Sequence, residues 1–289
     1  MARAVGEAFS IYLGWITPTA TDRAKASSHR ASIEAKLESK FGLYRMYESG
    51  SWKHGTGVSG FSDVDYFISL KTNKTVYGST ILNQVKEAMQ ERFPNTPISV
   101  RRPAVVLNFG GGYERVELIP AFPDKKLDNG AMRYDIPGVR DEWIQSAPEA
   151  HLAYVNDANN RASVKGGTKE LARLAKSWKY QCSVPISSFY IEMRAAQYMN
   201  GENSVIYDID LKRFLESLSS HSLADMNDPT GSTGRIKPCS SDANRRDALS
   251  KLQTAVTRAQ KAVAARDSNP SAAFGWWDYV FNGKFPAYY

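Results

Sequence analysis

The apolar positions between residues 19 and 40 recur at helical spacing. Ala26, Ile33, Leu37 and Phe41 fall on or near one stripe of a predicted long helix, with Thr19 or Thr21 as its cap and Phe41-Gly42 as its stop. The period then shortens. Runs at 43–49 (LYRMYES), 63–70 (DVDYFISL), 98–109 (ISVRRPAVVLNF) and 115–122 (RVELIPAF) predict strands, with a helix over 79–93 between the second and third. Gly110-Gly111-Gly112 predicts a tight turn joining the last two. Beyond about residue 145 helical patterns dominate, at 148–160, 168–181, 187–200, 209–220 and 242–266. The Gly, Pro, Ser and Asp-rich segment 222–241 predicts a long loop.

The pattern therefore divides into a strand-bearing α/β part over 1–145, carrying the long helix, and a helical part over 146–289. At 289 residues with 42% hydrophobic content, the chain can bury a large core, which excludes a disordered or fibrous protein. The net charge of +7 favours anionic ligands such as phosphates without requiring them. Cys182 and Cys239 stand far apart with no CxxC or Cys/His cluster, so neither a zinc site nor a disulfide framework is expected. The apolar stretch near the start is interrupted by Gly14 and Pro18. It is too short for a membrane span and lacks a cleavage pattern, so a cytoplasmic protein with no membrane partner is expected.

Charge inside the predicted strands changes the picture. Gly50-Ser51 is followed after eleven residues by Asp63-Val64-Asp65, and strand side chains alternate faces, so Asp63 and Asp65 point the same way. Two carboxylates one strand-step apart repel each other and lose hydration, which a bound cation relieves. Hard oxygen donors favour Mg2+ or Mn2+. Glu117 is a third lone acid in an apolar strand, and Pro120 beyond it suggests that the strand ends there or lies at an edge. Three such acids on adjacent strands can hold two divalent ions, one lowering the pKa of an attacking sugar hydroxyl and one neutralising a triphosphate. Glycine at 50 lets backbone N–H groups approach phosphate oxygens, Ser51 adds a hydroxyl donor, and Lys53 and His54 add positive charge nearby.

An isolated D-x-D is commonplace, but the Gly-Ser turn, the D-x-D strand and a later strand-borne acid together resemble the DNA polymerase beta-like nucleotidyltransferase superfamily. Leu174-Ala-Lys176-Ser-Trp178-Lys179 and Pro185-Ile-Ser187-Ser188-Phe-Tyr-Ile-Glu192 look like the K-x-W and S-F/Y-x-x-E helices of oligoadenylate and cyclic GMP-AMP synthase relatives. Ile236 to Cys239, Asp242 to Arg246, Phe274-Gly-Trp-Trp and Phe285-Pro286 extend the likeness to bacterial second-messenger synthases, the SMODS or CD-NTase enzymes, over about residues 19–289.

This resemblance implies a bilobal fold, a polymerase beta-like lobe with a twisted mixed sheet plus a helical lobe, and a site in the cleft between them. It also implies that Lys176 and Ser188 join Ser51 on the donor triphosphate. The reaction it implies makes a cyclic di- or trinucleotide from ATP, GTP or pyrimidine NTPs in an anti-phage CBASS operon, where the product activates a separate effector protein. In the family the third acid is often aspartate, whereas Glu117 is one methylene longer. The Cys/His zinc insertion of the animal DNA-sensing relative is absent, so sensing of long duplex DNA is not expected.

Other acceptors, such as an RNA end, a small molecule or a protein, share the same Gly-Ser and D-x-D core. A catalytically silent nucleotide-binding module would be expected to have lost an acid at 63, 65 or 117, and all three are acidic here. His29, His54, His151 and His221 form no H-x-x-x-H pair, and none is expected to be catalytic. The basic residues of 242–266, from Arg245 to Arg266, read as a solvated face, and Trp276, Trp277, Tyr279 and Phe281 as packing for the last segment.

Overall fold

Alternation along two strands sets the layering of this protein, seen in a computed structural model that describes residues 4–21, 28–112 and 114–289. In β2 (Val64–Leu70), Val64, Tyr66, Ile68 and Leu70 face one way. In β5 (Glu114–Lys126), Val116, Leu118 and Phe122 face the same way. That face is covered by α2 (Arg30–Phe41) and α4 (Gly78–Arg92), which contribute Ile33, Leu37, Ile81, Leu82, Val85 and Met89 to the shared core. The opposite face carries Asp65, Phe67, Glu117, Ile119 and Ala121, and it fronts the cleft.

The sheet runs β1 (Leu43–Ser49), β2, β5, β4 (Ala104–Phe109), β3 (Ile98–Arg101). Among the described residues only β2 and β5 pair in parallel; β1 with β2, β4 with β5 and β3 with β4 are antiparallel, which makes the sheet mixed. β6 (Met132–Pro137) adds to β5, and β7 (Trp143–Ser146) to β6. Five helices follow α3 (Gly50–His54) and α4 in the second half: α5 (Pro148–Asn160), α6 (Gly167–Gln181), α7 (Ser188–Met199), α8 (Tyr207–Ser220) and α9 (Asp242–Ala265). They are completed by α10 (Pro270–Val280), and together they enclose a second core.

Several expectations change. The segment 98–109 is a hairpin and not one strand, because Pro103 has no N–H to donate and the chain turns at Arg102-Pro103. β5 does not stop at Pro120. Its β4 ladder ends at Leu118, so the proline falls where that antiparallel neighbour has gone, while pairing to β2 continues to Ala121. The predicted 19–40 helix is described as Arg30–Phe41, with Ile33 and Leu37 fully buried. Its stop is Gly42, whose N–H reaches the Glu38 carbonyl at a φ of 64°; Ala26 and the rest of 22–27 lie outside the described residues.

Val5–Ile16, within the segment read only as too short for a membrane, is an amphipathic helix, α1. It buries Ala8, Phe9, Tyr12 and Ile16 in the helical core and not against the sheet. Phe9 meets Trp277 edge-on at 4.9 Å, and Tyr12 donates or accepts a 2.6 Å hydrogen bond with Ser177. The loop 222–241 holds a two-residue hairpin, β8 (Met226–Asn227) with β9 (Arg235–Ile236). It is pinned by Asp228, which accepts from the backbone of Thr230 and Thr233 and meets His151 at 3.1 Å. No described helix is long and apolar enough to cross a membrane.

Candidate active site

The strand register brings the acids together. Asp65 lies directly opposite Glu117 in the parallel β2–β5 pair, so both carboxylates leave the sheet side by side toward the cleft. Asp63 stands two residues before Asp65 and faces the same space. Burial pushes the Asp63 carboxyl up to about 6, with Glu117 raising it and Arg115 and Arg101 opposing. Asp65 is pushed well above the ordinary range, first by burial, then by the charges of Glu117 and Asp63. Among the described residues no hydrogen bond or ion pair reaches the Asp65 side chain. A half-buried, unpartnered carboxylate beside two others is the donor chemistry of a hard divalent cation. Among the described residues no three such groups stand close enough to ligate one ion, and Arg115 contacts two of them.

The Gly50-Ser51 turn follows β1 immediately and opens α3. Gly50 has a φ of 61°, and a Cβ there would be driven into the Asp65 carboxylate, so the position requires glycine on two counts. Ser51 lies beside it on the wall of a cleft of about 730 Å³, a size suited to nucleotides. Lys53, by contrast, is exposed and does not line the cleft. His54 does, but its imidazole is buried and its Nδ1 lies 2.9 Å from Glu192 Oε2.

The helical wall corrects one expectation. Lys176 is fully buried and does not line the cleft: its Nζ donates to Glu192 Oε1 at 2.7 Å and to Thr56 Oγ1 at 3.3 Å. The lysine that reaches the cleft is Lys179, one turn further along α6, donating to Ser188 Oγ at 2.6 Å. The apolar stripe of α6 faces the core through Leu171, Leu174, Ala175 and Trp178. The helix is buried all round over 171–178, so Lys176, on the side opposite that stripe, is enclosed by Glu192 and Thr56, while 179 lies at the rim. Burial, then Lys176 and Arg101, lower the Lys179 ammonium to about 8. Ser188 keeps its place on the cleft, and the cap of α7 is Ser187, whose side chain accepts from Tyr190 N.

Arg115, Arg101, Lys179, Tyr180 and Glu192 were missed from the sequence as site residues, although all line the cleft. Arg115 had a readable signal, since it precedes Glu117 by two and so shares its face. Tyr180 stacks on Phe61 with ring centroids 5.0 Å apart and planes 4° from parallel, a contact between segments more than a hundred residues apart that no local pattern announces. The basic residues of α9 do not line the cleft; Arg245 and Arg258 are held by the Ser222 and Tyr279 carbonyls. Trp277 and Phe281 are buried as expected, whereas Tyr279 is exposed.

A parallel strand pair bearing three acids behind a glycine-serine turn, closed by a helical wall, defines the polymerase beta-like nucleotidyltransferase fold. The chain belongs to the Second Messenger Oligonucleotide or Dinucleotide Synthetase family, whose domain matches residues 4–159. It is 24% identical over 195 residues to the CBASS oligonucleotide cyclase CdnC of Escherichia coli (strain KTE188), a match spanning 63% of this chain and 59% of that relative's length. Among solved structures it resembles CdnC of E. coli MS115-1 with ATP, at a TM-score of 0.75 and 18% identity, covering 97% of this chain and 98% of that one. It resembles the Bradyrhizobium diazoefficiens CD-NTase CdnG with GTP at 0.74 and 13%, covering 98% of each.

Proposed function

We propose that this protein is a template-independent nucleotidyltransferase that joins ribonucleoside triphosphates into a cyclic di- or trinucleotide, releasing pyrophosphate, as the signal of an anti-phage CBASS system. The observation that carries this reading is the register pairing of Asp65 with Glu117 beside the Gly50-Ser51 turn, across the cleft from Lys179 and Ser188. ATP and GTP in the related structures support purine NTPs as substrates, and pyrimidine NTPs fit the same phosphate-binding groups.

Asp63, Asp65 and Glu117 would hold two Mg2+ or Mn2+ ions, which when bound neutralise the triphosphate and acidify the acceptor hydroxyl. The Gly50-Ser51 backbone and hydroxyl, with the Lys179 ammonium and Ser188 hydroxyl opposite, bind and orient the donor phosphates for in-line attack. Lys176 acts from beneath: its pairing with Glu192 ties α6 and α7 to the loop at Thr56, and so fixes the helical wall against the turn. The product's receptor is a separate effector protein.

The test is incubation of purified protein with radiolabelled ATP, GTP, CTP and UTP and either metal, followed by phosphatase and chromatography. A phosphatase-resistant species that disappears with chelator is the expected result. Labelled RNA, small molecule or protein in its place would move the acceptor outside the nucleotide class, and absence of any metal-dependent transfer would overturn the reading.

A further inference from the structure

The parallel register that sets Asp65 against Glu117, carried one residue below its first pair of Val64 and Val116, sets Asp63 against Arg115. Arg115 shares the cleft face with all three acids, and its guanidinium spans two of them. Nη2 donates to Glu117 Oε1 at 2.6 Å, and Nε stands 3.3 Å from Asp63 Oδ2. The two grips differ. The Glu117 contact is a short, charge-assisted hydrogen bond, whereas Nε is buried and completes no hydrogen bond, so its hold on Asp63 is electrostatic only. Arg101 adds a more distant charge, 4.0 Å from Glu117 on a side chain that is 70% exposed. Asp65 receives no such partner.

We infer that Arg115 is an internal counter-ion that occupies the cation site, gripping Asp63 and Glu117 until a divalent ion displaces it. The inference rests on the reading of the three acids as a metal site. Without the guanidinium, three carboxylates would crowd one desolvated face, a costly arrangement. With it, one positive charge is shared between two of them, and an entering ion must break a salt bridge before it gains its ligands. Ion and arginine therefore bind the same oxygens in competition, and each weakens the other by the same factor. Displaced, the guanidinium remains in the cleft as a positive charge beside the acids, facing anionic substrate.

The experiment measures Mn2+ binding to full-length protein by the loss of the free-ion electron paramagnetic resonance signal, in wild type, Arg115→Ala, Arg115→Lys and Asp65→Asn, with melting curves in chelator and in Mn2+. Arg115→Ala is expected to bind Mn2+ about fivefold or more tightly than wild type, the lower end of ordinary coupling between competing ligands. It should melt lower than wild type in chelator and be raised more by Mn2+. Arg115→Lys, which keeps one charge but loses the two-pronged grip, should fall between them and guards against a misfolded alanine variant. Equal or weaker Mn2+ binding in both Arg115 variants overturns the inference while leaving the metal site standing. Mn2+ binding unaffected by Asp65→Asn overturns the metal reading itself.

Discussion

Asp65 and Glu117 are cross-strand partners in the parallel pair of β2 and β5, and both project onto the face away from α2 and α4. Their proximity is thus fixed by backbone pairing before any side chain chooses a rotamer. Four expectations follow from this placement and its surroundings.

Asp65→Asn should leave the fold intact and lower kcat/KM by about 10³-fold, the equivalent of about 4 kcal/mol of lost charge stabilisation. The sign for stability is opposite. A carboxyl whose pKa is raised on folding costs stability above its unfolded value, so the amide removes that cost. In chelator at neutral pH the variant should melt no lower than wild type; unchanged turnover in steady-state assays would remove Asp65 from the site.

Gly50→Ala should imitate that loss from the neighbouring turn, because a methyl at a φ of 61° strains the backbone and collides with the Asp65 carboxylate. The backbone alone costs about 1–3 kcal/mol, readable as a lowered denaturation midpoint. Activity should fall further than the stability loss accounts for at temperatures where the variant is fully folded.

Lys176 and Lys179 should separate cleanly. Lys176→Met leaves Glu192, only 3% exposed, as a buried and poorly compensated charge, and should cost about 3–5 kcal/mol in urea unfolding. Lys179→Met should barely move stability. It should raise the KM for NTP about ten- to a hundredfold, since hydrogen bonds to charged groups are worth about 1.5–3 kcal/mol. The reverse assignment would return Lys176 to the phosphates.

The pH profile carries a further signature. With its pKa lowered to about 8, the Lys179 ammonium is charged below that pH and loses its proton as pH rises through it. The kcat/KM, which reports the free enzyme, should therefore decline above about pH 8. Lys179→Arg, which stays charged, should hold level through the same range; an identical alkaline decline in both would assign that limb to another group.

How much of this was legible in the sequence follows from the range of each signal. The alternation in DVDYFISL and RVELIPAF announced both strands, their faces and all three acids, because it is local and period two. The register pairing the two strands was not legible, since β2 and β5 are separated by a helix and a hairpin that no pattern orders. Arg102-Pro103 looked like a blemish in one long strand and is the corner of two. Lys176 was chosen by motif likeness, and a motif does not say which side of a helix faces a lobe boundary; nor does the stripe of Leu171, Leu174, Ala175 and Trp178, since Lys176 lies on the side opposite it and is buried all the same. α1 escaped because its apolar positions were weighed against a membrane span and not against a protein core.

That first helix also sets a timetable. Phe9 and Tyr12 pack on Phe281 and Phe285, so the helical core is closed by residues far apart in sequence, whereas the described strands of the acid-bearing sheet all precede residue 147. During synthesis the sheet has all its partners long before α1 has its own. A ribosome-bound chain can thus display its three carboxylates before the helical core behind the opposite wall is closed by the contacts of α1 with Phe281 and Phe285.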